Sequence, residues 1–142
     1  FPEVTRRLVD AGATLVAVPS EWVRGPLKEQ HWRTLVTARA LENIVYIAAA
    51  DHAPPIGVGN SMIVDPMGVH LAAIREIADV ATATISLERV AQVHVLAFGR
   101  GERQVERDLR ADVLVEADRR AGRPGRRCGR GERGDEGERD HL

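Results

Sequence analysis

Nucleophilic or metal chemistry in this chain would have to start from its single cysteine and five histidines. His31, His52, His70, His94 and His141 stand at spacings that suit no shared metal ion, with one another or with Cys128. Cys128 sits in Arg126-Arg-Cys-Gly-Arg130, where neighbouring guanidinium groups favour a thiolate. A catalytic thiolate also needs a base and an oxyanion hole at fixed distance, and a stretch without apolar residues cannot hold them. Cys128 therefore reads as an incidental thiol. There is no Gly-x-Ser-x-Gly elbow and no phosphate loop, and Gly57-Val-Gly59 reads as turn chemistry. Neither a metal nor a cofactor is expected.

The carboxylates Glu21, Glu42, Asp51 and Asp65 fall singly at the ends of predicted elements. A carboxylate there ordinarily accepts hydrogen bonds from turn or cap backbone. Trp32 lies on the apolar face of a predicted helix, which suits a core or an interface. Trp22 lies in a Gly/Pro loop directly after a predicted strand, where α/β proteins usually assemble their sites.

The elements that must position these residues alternate. Pro2 suits a first helical turn, with Glu3 at the positive end and Gly12 as terminator, so a helix is predicted over Pro2–Ala11. Thr14–Val18 is a short apolar run, predicted as a buried strand, and residues 19–26 form a loop. Trp32, Leu35, Val36 and Ala40 recur at helical spacing within Leu27–Asn43. Ile44–Ala50 is a second buried strand, and residues 51–59 form a proline-rich loop. Ser61–Val64 and Val69–Ala73 flank the tight turn Asp65-Pro-Met-Gly68, Val80–Ile85 is a further strand, and Ser86 suits the cap of a helix over Leu87–Val93. Two good helices do not cover both faces of so many apolar strands. The pattern is half of an α/β sandwich.

Composition changes near Arg100. Of 41 charged residues, 23 fall within 100–142, a stretch with no aromatic residue. Little there beyond Val113–Val115 is apolar, too little to offset the entropy of ordering. Residues 1–99 are expected to form the folded unit and 100–142 a charged, mostly disordered tail. Glu and Arg three or four apart leave room for a marginal helix over 104–120. The net charge of −1 gives no electrostatic reason to expect nucleic acid or a membrane surface. No apolar run approaches the length of a membrane span. One cysteine rules out an internal disulfide framework, and a cytoplasmic setting is expected. The chain begins with Phe, and is expected to start inside a longer sequence.

Three blocks resemble the nitrilase superfamily in its own order. Phe1-Pro-Glu3 followed by Gly12-Ala-Thr-Leu-Val-Ala-Val-Pro-Ser20 is similar to the family's F-P-E, helix and G-A-D-x-x-x-x-P-[SA]. Gly25-Pro-Leu-Lys-Glu-Gln-His-Trp32 with Ala38-Arg-Ala-Leu-Glu-Asn43 resembles G-P-x-x-x-x-H-W and A-R-A-x-E-N. Gly59-Asn-Ser-Met-Ile-Val-Asp-Pro-Met-Gly68 resembles the hairpin G-x-S-x-[IV]-x-D-P-x-G. The resemblance extends over about residues 1–93, two thirds of the chain.

It implies a partial α-β-β-α sandwich from the C-terminal half of the domain, commonly a homodimer joined through helices. It implies hydrolysis of small amide, nitrile or carbamoyl substrates without metal or cofactor, amide being favoured over nitrile. The family's Cys nucleophile, Glu base and Lys all precede the F-P-E block, so no catalytic residue falls in this chain, and Lys28 and Cys128 match none of those positions. Ser20, Glu21 and Trp22 match a loop that lines the family's substrate pocket. Glu3, Arg39, Glu42 and Asn43 match positions read as structural, tying helices to neighbouring loops. The alternative is a non-catalytic half-domain that binds a partner chain through its helices, with Trp32 as the candidate anchor. After Val93 the family pattern fades. Either the end diverges or the reading frame shifts near His94, and the Arg/Gly/Asp/Glu-rich composition favours the shift.

Overall fold

The structure is a computed structural model that describes residues 1–99 and 110–116. Helix α1 (Pro2–Asp10) leads into strand β1 (Leu15–Ser20), helix α2 (Lys28–Asn43) and strand β2 (Tyr46–Asp51). Strands β3 (Met62–Val64) and β4 (His70–Ala73) follow as a hairpin, then β5 (Val80–Ser86), α3 (Leu87–Phe98) and β6 (Arg110–Glu116). One sheet has the order β1-β2-β3-β4, and β5 and β6 form a second. β1 and β2 are parallel, as an intervening helix requires, whereas β2/β3 and β3/β4 are antiparallel.

The alternation of β2 fixes which residues face which layer. Val45, Ile47 and Ala49 join Val16, Met62 and Val64 under the helices, where Val9 of α1 and Trp32, Val36 and Ala40 of α2 cover them. Tyr46 and Ala48 face the other way, with Ile63, toward α3 and the second sheet. Between these two sets the chain reverses at Ile44, which takes a left-handed φ of 51° just past α2. That position usually goes to Gly or Asn, since a side chain there costs roughly 1–2 kcal/mol. Burial of the Ile44 side chain in the second cluster is worth roughly 1.5–3 kcal/mol and offsets it.

Two expectations change here. Residues 110–116, expected to be disordered or to fall within a marginal helix over 104–120, form β6. They pair with β5 from Val80↔Glu116 to Ser86↔Arg110. The reason is a period of two: in Arg110-Ala-Asp-Val-Leu-Val-Glu116 the alternate residues 111, 113 and 115 fall opposite Ile85, Ala83 and Ala81. Val115 is buried and Val113 half-buried against Ala48, Ile63 and Ala83. The spacing of Glu and Arg competed with that signal and does not prevail. The second sheet therefore covers the main-sheet face that half a sandwich was expected to leave open. The rest of the expected tail, with Cys128 and His141, lies outside the described residues. Among the described residues no helix is long and apolar enough to cross a membrane, and no group of three or more His, Asp or Glu could hold a metal ion.

Candidate functional site

Because β1 and β2 are parallel with Ser20 opposite Asp51, both strands end at the same side of the sheet. The loops that follow meet there. The backbone N–H of Val58 donates to the Trp22 carbonyl at 3.0 Å, that of Arg24 donates to the Ile56 carbonyl at 3.4 Å, and Val23 and Gly57 form an isolated bridge. Crevices outside the carboxyl ends of parallel strands are the usual place for ligands in α/β sheets.

Asp51 sits beneath this junction, 2% exposed. One carboxylate oxygen accepts the Trp22 N–H at 2.6 Å and the other accepts the Val58 N–H at 3.0 Å. Its own backbone is held by Ser61, whose hydroxyl accepts the Asp51 N–H at 3.0 Å and donates to the Asp51 carbonyl at 3.2 Å. Burial pushes the Asp51 carboxyl above the usual aspartate value, opposed by the N–H groups of Trp22, Val58 and His52 and by the charge of nearby His52. Gly57 has to be glycine for space: a Cβ there would lie 2.2 Å from the His52 carbonyl oxygen and 2.8 Å from the Asp51 carboxylate. Read from the sequence, Asp51 is one turn acceptor among four. The signal that singles it out is its place at the end of an apolar strand just before a Gly-x-Gly loop.

Of the residues expected to line a pocket, Ser20 and Trp22 are half-buried and Glu21 is exposed. Trp22 is fixed at three points. Its indole N–H donates to the Lys28 carbonyl at 3.0 Å, its ring lies 5.8 Å from that of Trp32, and Lys28 Nζ stands 4.5 Å from the ring centroid. The last is a cation–π contact, and the sequence did not single out Lys28 for it. Trp32 is 4% exposed in the chain's own core, and its indole N–H donates to the Asn60 carbonyl at 3.0 Å. The expectation that Trp32 anchors an interface is therefore corrected. It packs between α2 and the sheet, in one cluster with Ile47, Val58 and Met62.

The other four singled-out residues divide. Arg39 and Glu42 form an ion pair on α2, and Asn43 donates to the Arg39 carbonyl at 2.9 Å and to Glu42 at 3.3 Å. Arg6 of α1 donates to the Glu42 carbonyl at 3.1 Å, so the cluster joins the two helices while satisfying a carbonyl at the end of α2. Glu3 stands apart from this cluster, exposed in the first turn of α1. Asp65 closes the hairpin: it accepts the N–H groups of Met67 and Val69, each at 2.8 Å, and Arg89 of α3 approaches it at 3.4 Å.

The arrangement joins two loops over a buried carboxylate at the carboxyl ends of β1 and β2. Asp51 is engaged by backbone N–H groups and Lys28 stands over the Trp22 indole, while elsewhere Thr37 Oγ1 and His70 Nε2 lie 2.9 Å apart. Comparison with known proteins identifies the family. The family model described as carbon-nitrogen hydrolase matches residues 1–95. Over 93 residues, 66% of this chain, the sequence is 44% identical to the YbeM protein of Escherichia coli (strain K12), of which it covers 50%. It is equally identical over the same length to the deaminated glutathione amidase of Escherichia coli O157:H7, of which it covers 36%. The NitFhit protein of C. elegans superposes with a TM-score of 0.63 at 33% identity, over 72% of this chain and 26% of that one. The chain thus spans half the length, or less, of these relatives. On the three sequence blocks, the layered α/β fold and these matches, the chain belongs to the carbon–nitrogen hydrolase family of the nitrilase superfamily.

Proposed function

We propose that this polypeptide supplies the C-terminal half of a cysteine-dependent amidase, acting on carbon–nitrogen bonds of small amide or carbamoyl substrates. Its Glu base, Lys and Cys nucleophile are then contributed by sequence preceding Phe1, and the 142-residue chain is inactive by itself. Ser20, Glu21 and Trp22 form part of the substrate pocket. The observation that carries this reading is the pair of loops fastened together at the carboxyl ends of β1 and β2. Residue 1 directly precedes α1, and the turn after α1 returns the chain into β1. A nucleophile carried just before α1 therefore opens onto the same end of the sheet as Ser20 and Trp22.

Relatives named deaminated glutathione amidase at up to 44% identity favour an amide over a nitrile, and make deaminated glutathione the first substrate to assay. A homodimer through the helices accords with Val4 and Leu8, which α1 leaves exposed four residues apart. The single cysteine suits a cytoplasmic enzyme.

Two proteins are compared in an amide-hydrolysis assay: the 142-residue chain, and the product of the reading frame extended upstream of the Phe1 codon. The chain is expected to show no turnover above background, lacking nucleophile, base and oxyanion donor. The extended product is expected to hydrolyse small amides. Turnover by the short chain that disappears in Cys128→Ser would overturn this reading, as would an extended frame without the Glu, Lys and Cys set.

A further inference from the structure

We propose that Asp51 is a positioning residue for the hydrolase reaction, its buried carboxylate clamping the loop after β1 to the loop after β2 and so setting where the substrate-facing residues Ser20, Glu21 and Trp22 stand. The proposal rests on the pocket reading given above. Its geometry is that of a two-sided clamp. One oxygen holds Trp22, 29 positions earlier in the sequence, and the other holds Val58, 7 positions later. Both donors are backbone N–H groups, so the clamp fixes main chain rather than one adjustable side chain. The loops also close directly through Val58 N–H to the Trp22 carbonyl, and Gly57 lets the backbone approach where a Cβ would collide. Trp22 passes the constraint outward, since its indole is tied to Lys28 and rests against Trp32.

Joining two loops does not by itself call for a buried charge. A buried carboxylate forfeits its hydration, and apolar contacts join loops without that loss. What the carboxylate adds is two short, directional, charge-assisted bonds that hold both backbones at set distances. Catalytic efficiency depends steeply on such distances, a misplacement of about 1 Å costing up to about a hundredfold.

The test has two arms. In the 142-residue chain, amide exchange is read at Trp22 and Val58 for wild type, Asp51→Asn and Ser61→Ala. Asparagine keeps the shape but turns an NH2 toward one of the two donors. Ser61→Ala weakens the same strand end without touching the carboxylate, because the Ser61 hydroxyl bonds the Asp51 backbone. Asp51→Asn is expected to speed exchange at Trp22, while Val58, whose N–H also donates to the Trp22 carbonyl, changes less and Ile47 and Met62 stay protected. Ser61→Ala is expected to leave the Trp22 amide slow.

In the upstream-extended enzyme, Asp51→Asn is expected to lower kcat/KM by about tenfold to a hundredfold, mainly through KM. Asp51→Glu should recover part of that loss. Unchanged exchange at Trp22 overturns the clamp. Loss of protection at Ile47 and Met62 together with Trp22 makes Asp51 a core group and overturns it equally. A loosened loop with unchanged KM overturns the positioning role. Failure of the wild-type extended enzyme to hydrolyse any amide counts against the proposed function, while the exchange arm still decides the clamp.

Discussion

Trp32→Ala removes an indole that is 4% exposed and leaves the Asn60 carbonyl without its donor at 3.0 Å. The expected loss is about 3–5 kcal/mol, the range for a buried aromatic truncated to alanine. It should appear as a lower melting temperature, with the sedimentation coefficient of the native protein unchanged. A variant that melts as wild type but sediments as a smaller species would show that the indole serves an interface instead. Periodicity placed Trp32 on an apolar helix face but could not say whose core that face enters. That depends on packing against Val58 and Met62, many positions away in sequence. Asp51 was harder still to read. Its ionisation opposes folding slightly, since burial raises its carboxyl: stability from this group is full at acid pH, below the unfolded value, and declines as pH rises through the folded one. Its place between an apolar strand and the Gly57-Val-Gly59 loop marks the position but not the burial that gives it that sign.

At the scale of elements, most of what the residues predicted is present. Helix α1 ends at Asp10, with the predicted terminator Gly12 just past its Ala11 cap, α2 runs to Asn43, and Asp65-Pro-Met-Gly68 turns the hairpin. Boundaries moved by one or two residues, and α3 extends to Phe98 rather than stopping at Val93. The loops resisted reading, because what fixes them is close approach rather than periodicity. Two glycines separate the two reasons for having no side chain. Gly12 has a φ of 99° and open space around its missing Cβ, whereas a Cβ at Gly57 would lie 2.2 Å from the His52 carbonyl oxygen. Gly12→Ala is therefore expected to cost only the left-handed backbone term, about 1 kcal/mol. Gly57→Ala must displace the 51–59 loop and break the Asp51 contacts, so its loss should exceed 3 kcal/mol or so, in the range of disrupted buried networks. Urea titration of the two variants checks the order, and a Gly57→Ala midpoint at or above that of Gly12→Ala would contradict it.

For the whole molecule, the decisive structure is the β5–β6 layer. Composition identified 100–142 as unlike the rest, and charge density alone argued against any packed element there. What it could not weigh is that an alternating segment needs only two or three apolar residues once a prepared face awaits it. Ala48, Ile63 and Ala83 are that face, and Val113 and Val115 pack against it. If this layer completes the core, polarity on its two sides must have opposite consequences. Val115 is 3% exposed, so Val115→Asp places a carboxylate against alanine and isoleucine. Thr82, on the same sheet, is exposed to solvent. Val115→Asp is expected to lower the urea midpoint by the equivalent of several kcal/mol, the usual result of an unpaired buried charge. It should also expose the Ala48–Ile63 face to a hydrophobic dye. Thr82→Asp should change stability by no more than about 0.5 kcal/mol, as surface substitutions do. Truncation after Gly99 should reproduce the Val115→Asp behaviour, since it removes the same cover. Equal midpoints for the two aspartate variants would mean that β6 does not seal the core, and the main sheet would then have to be covered on that face by something other than this segment.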